Sequence, residues 1–354
     1  MEAVVSLTLT TGTITVMKVL VTGGAGYIGS TVCSALKDAG HVPVILDSLI
    51  TGQRAFVKDR IFYHGDIADE VLLRRIFAEH PDIGAVIHFA ALIVVPESVA
   101  VPLRYYQENV SKSIILFQTL LDHDVERVIF SSSASIYDTT SATCVSEESS
   151  LLPASPYART KLMMEMILED VCRASNLRGI ALRYFNPIGA DPQFRSGPYR
   201  HDPSHVLGRM LETARGRSGP FQVTGVDYPT RDGTGLRDYI HVWDLALAHV
   251  QAVEQFDRVF ERAQARGMKG HYLALNVGSG NGVTVRELIG AFEHASGLKL
   301  PHQDAARRPG DSPGAYAVIE RARELLGWEP RSSTETAIRS ALEWDERYHQ
   351  AVKS

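Results

Sequence analysis

Cysteine is scarce: three occur in 354 residues, at 33, 144 and 172, and neither their odd number nor their spacing builds a disulfide framework or a zinc knuckle. Cys33, Cys144 and Cys172 read as free thiols, and no metal site is expected. Long apolar runs are missing too. The longest, GAVIHFAALIVVP at 84–96, is too short to span a bilayer and contains His88. No block of Lys or Arg occurs, and the net charge is -5, so nothing draws the chain to nucleic acid or to an anionic membrane. The opening stretch MEAVVSLTLTTGTITV lacks a basic region, and its Thr and Gly interrupt any apolar segment, unlike a secretory signal. A soluble cytoplasmic protein without nucleic-acid or membrane partners is the expectation. With 45% hydrophobic residues, it has the means to bury a large core.

From Lys18 onward, short β-branched runs alternate with helix-length amphipathic segments. Strands are predicted at 18–22, 42–47, 61–66, 85–90, 127–132 and 179–185, with helices clearest at 27–39, 69–79, 103–122 and 157–175. That alternation predicts an α/β fold, a Rossmann-like doubly wound parallel sheet that binds ligands beyond the carboxyl ends of its strands. After Asn186 the rhythm changes. Pro, Gly and Asp become frequent over 187–203, and isolated strands are expected near 221–225, 238–241 and 273–277. Helices at 320–326 and 333–350 are expected to pack back on the body. The predicted division is an N-terminal extension at 1–16, a dinucleotide-binding domain at 17–186, and a smaller C-terminal α/β substrate lobe at 187–354 with segments interleaved into the sheet.

The first strand runs into TGGAGYIGS, with glycines at 23, 26 and 29. Gly23 permits the tight turn, Gly26 lets the backbone approach a pyrophosphate at the helix N-terminus, and Gly29 allows close helix packing. Tyr27 and Ile28 stand in the same turn. The second strand ends in LDSL, so Asp47, followed by Ser48, is placed to accept both ribose hydroxyls of an adenosine. A 2′-phosphate would meet that carboxylate, which favours NAD over NADP, although Arg54 is near. Asp66 and Ile67, in HGDIAD, fall beside the adenine, and Asp66 reads equally well as a helix cap.

In SPYARTK, Tyr157 and Lys161 are four residues apart and share one helix face. Beside a nicotinamide, Tyr157 as phenolate takes a hydroxyl proton while a hydride leaves the same carbon. Lys161 lowers the phenol pKa and reaches the nicotinamide ribose. FSSSASIYD supplies Ser131, Ser132 and Ser133 at a strand end, with Ser133 best placed to bond the reacting hydroxyl.

At these residues the chain resembles the extended short-chain dehydrogenases and, within them, the UDP-glucose 4-epimerase family. VLVTGGAGYIGS, GDI, VIHFAAL, PESV, FSSSASIY, SPYARTKLMME, LRYFNPIGA, DYPTRDGTGLRDYIHVWDLA and RRPGD follow one another in that family's order over about 17–345. The resemblance implies NAD as cofactor, surrounded by Phe89, Ala90, Ala91, Asn109, Ser131, Tyr184 and Phe185. It implies a UDP-sugar substrate held by Asn186, Arg237, Arg308 and Asp311, with both arginines suited to paired bonds to a diphosphate. It also implies a homodimer through helices 103–122 and 157–175; Ile114, Phe117, Met164 and Ile167 serve equally as its apolar face or as packing on the protein's own sheet. Related dehydratases need carboxylates just after the fifth strand. Here those positions are Ser133, Ala134 and Ser135, which favours epimerisation through a 4-keto sugar.

Four positions depart from the family pattern. Ile93 replaces a lysine, His205 stands where the second of two asparagines is usual, and Asp138 follows Tyr137 in place of glycine. Ala315 replaces a bulky tyrosine at the pocket wall, although a slip of one residue restores Tyr316. UDP-glucose and UDP-galactose are the default substrates. Ala315 opens the alternative of an N-acetylhexosamine, and Arg195 or Arg200 the alternative of a glucuronate carboxylate at C6. A non-catalytic dinucleotide-sensing protein is the remote alternative, disfavoured by intact Tyr157, Lys161 and Ser133.

Overall fold

The computed structural model describes residues 16–139, 142–199, 206–307 and 313–353. Its first strand, β1 (Lys18–Thr22), is buried along nearly its whole length, as a strand covered by helices on both faces must be. On one flank lie β2 (Val42–Asp47) and β3 (Ile61–His64). On the other lie β4 (Ile83–His88), β5 (Arg127–Ser131), Arg178–Tyr184 and Tyr272–Val277. Every neighbour in this seven-stranded sheet pairs in parallel. The chain leaves β1 toward β2 and then jumps back across it to β4. The helices that follow β1 and β4 therefore diverge, opening a crevice at the strands' carboxyl ends.

One face of the sheet packs on α1 (Tyr27–Asp38) and on the helix Val242–Glu254, whose Leu245, Ala248 and Ala252 share a core with Val32 and Leu36. The other face is covered by Glu70–Glu79, Lys112–Asp122 and Pro156–Ala174, through Leu73, Ile76, Leu116, Phe117, Met164 and Leu168. Away from this body, Asn186–Ile188, Leu236–His241 and Gly282–Thr284 form a mixed three-stranded sheet. Behind it sits a separate core around Met210, Val223, Tyr239, Leu288, Phe292 and Ile338.

Three expectations need correction. The strand foreseen at 273–277 is not isolated: Tyr272–Val277 is the edge strand of the main sheet, in register with Gly179–Tyr184. Its partner is remote in sequence, so local pattern could not report it. The helix foreseen at 103–122 is interrupted, Pro102–Tyr106 passing through a wide π turn at Gln107–Ser111 before Lys112–Asp122. Of the candidates for an apolar outer face, Phe117 and Met164 are buried in the protein's own core, and Ile167 packs against it. The outward apolar residues are Leu103, Ile114, Met163 and Met166.

No helix among the described residues is long and apolar enough to cross a membrane. All three cysteines are free, Cys33 and Cys172 fully inside and Cys144 half-buried. Burial pushes the Cys33 and Cys172 thiols up to about 12. A thiol reagent applied to the native protein at neutral pH should therefore label Cys144 quickly and the other two only on unfolding. Three fast thiols would show that the α1 and Pro156–Ala174 packing is not as described.

Candidate functional site

The turn from β1 into α1 has little freedom. Gly23 lies in the left-handed region (φ +72°), and a Cβ there would sit 2.7 Å from the Ala90 nitrogen. A Cβ on Gly29 would meet the Gly23 carbonyl oxygen at 2.3 Å. Gly26 differs, since a Cβ there would find its nearest atom at 3.4 Å. It is the N-cap of α1 and offers no side chain to the first-turn N–H groups, leaving an open cradle at the positive end of the helix. A diphosphate fits that chemistry. At the end of β2, the Asp47 carboxylate is oriented by Ala25 N–H (2.9 Å) and Leu49 N–H (2.8 Å). Burial raises its pKa, and those two bonds and His64 oppose the rise. Arg54 stacks on Phe62, 4.4 Å from the ring centre, and does not line the cavity.

A single cavity of about 910 Å³ runs from this cradle to the smaller lobe. Gly23, Gly26, Tyr27, Ile28, Gly29, Asp47, Ser48, Asp66, Ile67, Phe89, Ala90 and Ala91 line its first half. Ser131, Ser133, Tyr157, Lys161, Tyr184, Phe185, Asn186 and Arg237 line the rest. Asp66 is an ion-pair partner and not a helix cap: it accepts from Lys112 (2.6 Å) and, in the turn before the helix, from Ala68 N–H (2.9 Å), whereas the cap of Glu70–Glu79 is Asp69. Asn109 stands behind the wall. From the π turn, its side chain accepts from Leu92 N–H (2.8 Å) and donates to Leu92 O (2.9 Å) and Thr160 Oγ1 (3.1 Å), so it holds the lining loop rather than lining the cavity itself.

Tyr157 enters the cavity from the first turn of Pro156–Ala174, a helix capped by the Ser155 hydroxyl on Ala158 N–H. The N-terminal end of a helix favours a developing phenolate. Burial raises the Tyr157 pKa, and Ser133 beside it pulls the other way. Lys161, one turn on, is 3% exposed and donates from Nζ to Ser131 O at 2.8 Å. Burial pushes its ammonium down to about 7, against the pull of Glu165. Tyr184 shares a 2.5 Å hydrogen bond with Ser131 Oγ. Such a corner can accept and return a proton in a water-poor wall.

Below it runs a relay that sequence reading missed. Ser113 donates to Asn109 O (2.8 Å), leaving its oxygen to accept from His88 Nε2 (2.9 Å). His88 Nδ1 then accepts from Thr22 (2.7 Å), whose oxygen accepts from Ala90 N–H (3.4 Å). Every donor has one acceptor, and burial holds His88 neutral, its pKa near 3. A histidine inside an otherwise apolar strand was the available signal.

On the substrate side two readings are overturned. Arg195 does not line the cavity. Its guanidinium is consumed by Asp38 (2.6 and 2.9 Å) and Asp191 (2.6 and 3.0 Å), beside Trp243, so it has no reach toward a C6 carboxylate. Ala315 does not line the cavity either: it is buried against Tyr137 and Val145, in a cluster whose packing partner Phe185 does line the cavity. Tyr316 pairs in register with Cys144. Arg237 lines the cavity, its Nη1 donating to Leu236 O (2.7 Å) and Pro313 O (3.2 Å), and Ile93 lines it as well. His205, Arg308, Asp311 and Arg200 lie outside the described residues. Tyr199, Gln222, Thr224 and Tyr228, which the sequence did not single out, also line the cavity.

Residues 19–264 match the NAD dependent epimerase/dehydratase family. The chain is 42% identical to a UDP-glucose 4-epimerase of Azospirillum brasilense, over 95% of this chain and 94% of that protein. It is 40% identical to one of Bacillus subtilis, over 96% and 99%. The crystal structure of a UDP-glucose-4-epimerase from Stenotrophomonas maltophila, with bound NAD and formylated UDP-arabinopyranose, superposes with a TM-score of 0.87 at 38% identity, covering 95% of this chain and 99% of that one.

Burying an ammonium has a stability signature. The folded Lys161 pKa, about 7, lies below the ordinary 10.5, so the folded state holds fewer protons between those values. Stability therefore rises with pH across that window, and the cost is fully present below it. Lys161→Met should raise the Tm of the cofactor-free protein most near roughly pH 6 and progressively less toward roughly pH 10. An equal gain at both ends would mean that Lys161 titrates normally.

Proposed function

As a member of the NAD dependent epimerase/dehydratase family, the chain has a fixed cofactor chemistry, and we propose that it spends it on inverting C4 of a UDP-hexose, interconverting UDP-glucose and UDP-galactose. One observation carries the choice of epimerisation over elimination. Ser133, Ala134 and Ser135 stand where a dehydratase needs its acid and base. The carboxylates that line the described cavity are engaged elsewhere: Asp47 by backbone N–H groups, Asp66 and Glu108 by Lys112, Glu97 by Arg104.

Bound NAD supplies a hydride acceptor that is restored within each turnover. Gly23, Gly26 and Gly29 would hold its diphosphate, and Asp47 its adenosine ribose. Tyr157 accepts the C4 hydroxyl proton at its phenolic oxygen, with Ser133 bonded to the same hydroxyl. The Lys161 ammonium and the helix N-terminus favour the phenolate. Asn186 and Arg237 anchor the UDP while the 4-keto sugar turns its opposite face. Tyr157 then returns the proton to O4; the hydride that bound NAD would take from C4 and give back to its other face leaves no net redox change.

The purified protein should carry NAD and epimerise UDP-galactose without added cofactor, in a panel that also contains UDP-glucuronate and the N-acetylated sugars. With Arg195 spent on Asp38 and Asp191, UDP-glucuronate should be the poorest substrate. If all four sugars return unchanged, the non-catalytic reading stands instead. Tyr157→Phe should keep NAD and UDP affinity and lower kcat by about 10²-fold or more; full turnover would assign the base elsewhere.

We place the reaction in the cytoplasm, which the three free thiols support. We also assign the assembly as a homodimer through Pro102–Asp122 and Pro156–Ala174. The apolar side chains of Leu103, Ile114, Met163 and Met166, 41–77% exposed, support it. Light scattering should give twice the chain mass, and Met166→Glu should give the chain mass; a native monomer would refute the assignment.

A further inference from the structure

Behind the serine and lysine wall lies a charged pair that does not line the cavity. Glu165 and Arg183 are almost wholly buried, and Arg183 donates to both carboxylate oxygens, Nε to Oε1 at 3.0 Å and Nη2 to Oε2 at 2.6 Å. Tyr272 donates to Oε2 at 3.0 Å, and Arg183 Nη1 donates to the Tyr137 hydroxyl at 3.0 Å. Drying two charges is costly, and a well-packed apolar pair often serves stability as well or better. The place of this pair in the fold supplies another reason for it.

Glu165 lies one helical turn beyond Lys161 on the same helix. Its carboxylate also accepts from the hydroxyl of Ser132. Along an extended chain alternate side chains point to opposite sides. Ser131 and Ser133 line the cavity, while Ser132, fully buried, turns away from it toward Glu165. The three serines thus divide their work: Ser131 serves Tyr184 and Lys161, Ser133 stands beside Tyr157, and Ser132 ties the segment down from behind.

We propose that Glu165 and Ser132 are positioning residues for the proton transfer described above, on whose assignment this inference rests. Glu165, immobilised by Arg183 and Tyr272, draws the Ser132 side chain inward and fixes the strand end that aims Ser133 at Tyr157, while its charge keeps Lys161 protonated. The charged or titratable groups that act on Lys161 are Glu165 on its own helix and His88 from β4, with Tyr157 one turn before it, while Tyr184 bonds the neighbouring Ser131 and Arg183 lies behind Glu165. His88 is neutral, both tyrosine pKa values are raised by burial, and the Arg183 charge is engaged by Glu165. Glu165 is thereby the carboxylate that favours the ammonium.

The test uses the full chain with carbon-13 at the lysine ε position, the Lys161 resonance being assigned by its loss in Lys161→Arg. In Glu165→Gln, the Lys161 midpoint should fall by about one pH unit or more. Turnover on the UDP-sugar should fall about 10- to 100-fold, with KM and bound NAD changed less than about threefold. In Ser132→Ala the same loss of kcat should occur with the Lys161 midpoint in place. A pair that served packing alone would lower Tm without moving that midpoint or separating kcat from KM, and this result overturns the proposal. Should Glu165→Gln fail to fold, native turnover in Ser132→Ala overturns it. If the native protein epimerises no UDP-sugar, the Lys161 midpoint still decides: an unmoved midpoint in Glu165→Gln sinks the proposal, and a moved one upholds the charge role while the reaction assignment alone fails.

Discussion

A lysine ammonium kept out of water sets the terms for the carboxyl edge of this sheet. Lys161, though it lines the cavity, is 3% exposed: Ser131 O accepts from it, the Phe130 ring lies 5.1 Å from its nitrogen, and His88 faces it without a charge of its own. An ion so placed is tolerable only where its neighbours are held still, because a wandering acceptor would leave it unpaired. The strand end at Ser131–Ser133, the neutral imidazole and the Glu165–Arg183 pair all answer that demand. The chemistry borrows the same rigidity.

The other end of the cavity works by subtraction. Gly23 and Gly29 exist because the backbone of β1, α1 and the Phe89–Ala90 loop approach too closely for any side chain, whereas Gly26 leaves room that nothing in the protein fills. Asn109 and the Thr22, His88 and Ser113 relay then fix the opposite lip of the crevice from behind, through Leu92 and Ala90. The cleft is thus closed on one side by contact and on the other by hydrogen bonds.

How much of this could be read in advance follows from the range of each interaction. The glycine turn, Asp47 at the end of β2 and the Tyr157/Lys161 spacing are local, and the structure puts them along one cavity. Arg195 was misread because its partner Asp38 lies far back in the chain, at the end of α1, where no motif announces it. Ala315 reads from the sequence as a wall residue because its packing against Tyr137 and Val145 joins segments distant in the chain. The π turn that turns Asn109 toward Leu92 leaves no mark in a hydrophobic period, and Phe117 and Met164 fit an inward face as well as an outward one. Glu165 was legible in principle, since it repeats the four-residue step that links Tyr157 to Lys161. Its meaning required Arg183 and Ser132 from two strands.

The outer face of α1 is stitched to the segment that follows Asn186: the Tyr27 hydroxyl donates to Gly189 O at 2.5 Å, Thr31 meets Ser196 at 3.0 Å, and Asp38 takes Arg195. Its inner side rests on Val242–Glu254, and the sheet beneath closes with Tyr272–Val277. The dinucleotide half is consequently unfinished until most of the chain has been synthesised. During translation, a nascent chain that has emerged only as far as Asn186 carries a helix with its apolar flank open to solvent and a sheet with a bare edge, a state that invites chaperones. A cut at Asn186, where the sequence rhythm changes, would therefore strip α1 of Val242–Glu254 and the sheet of Tyr272–Val277.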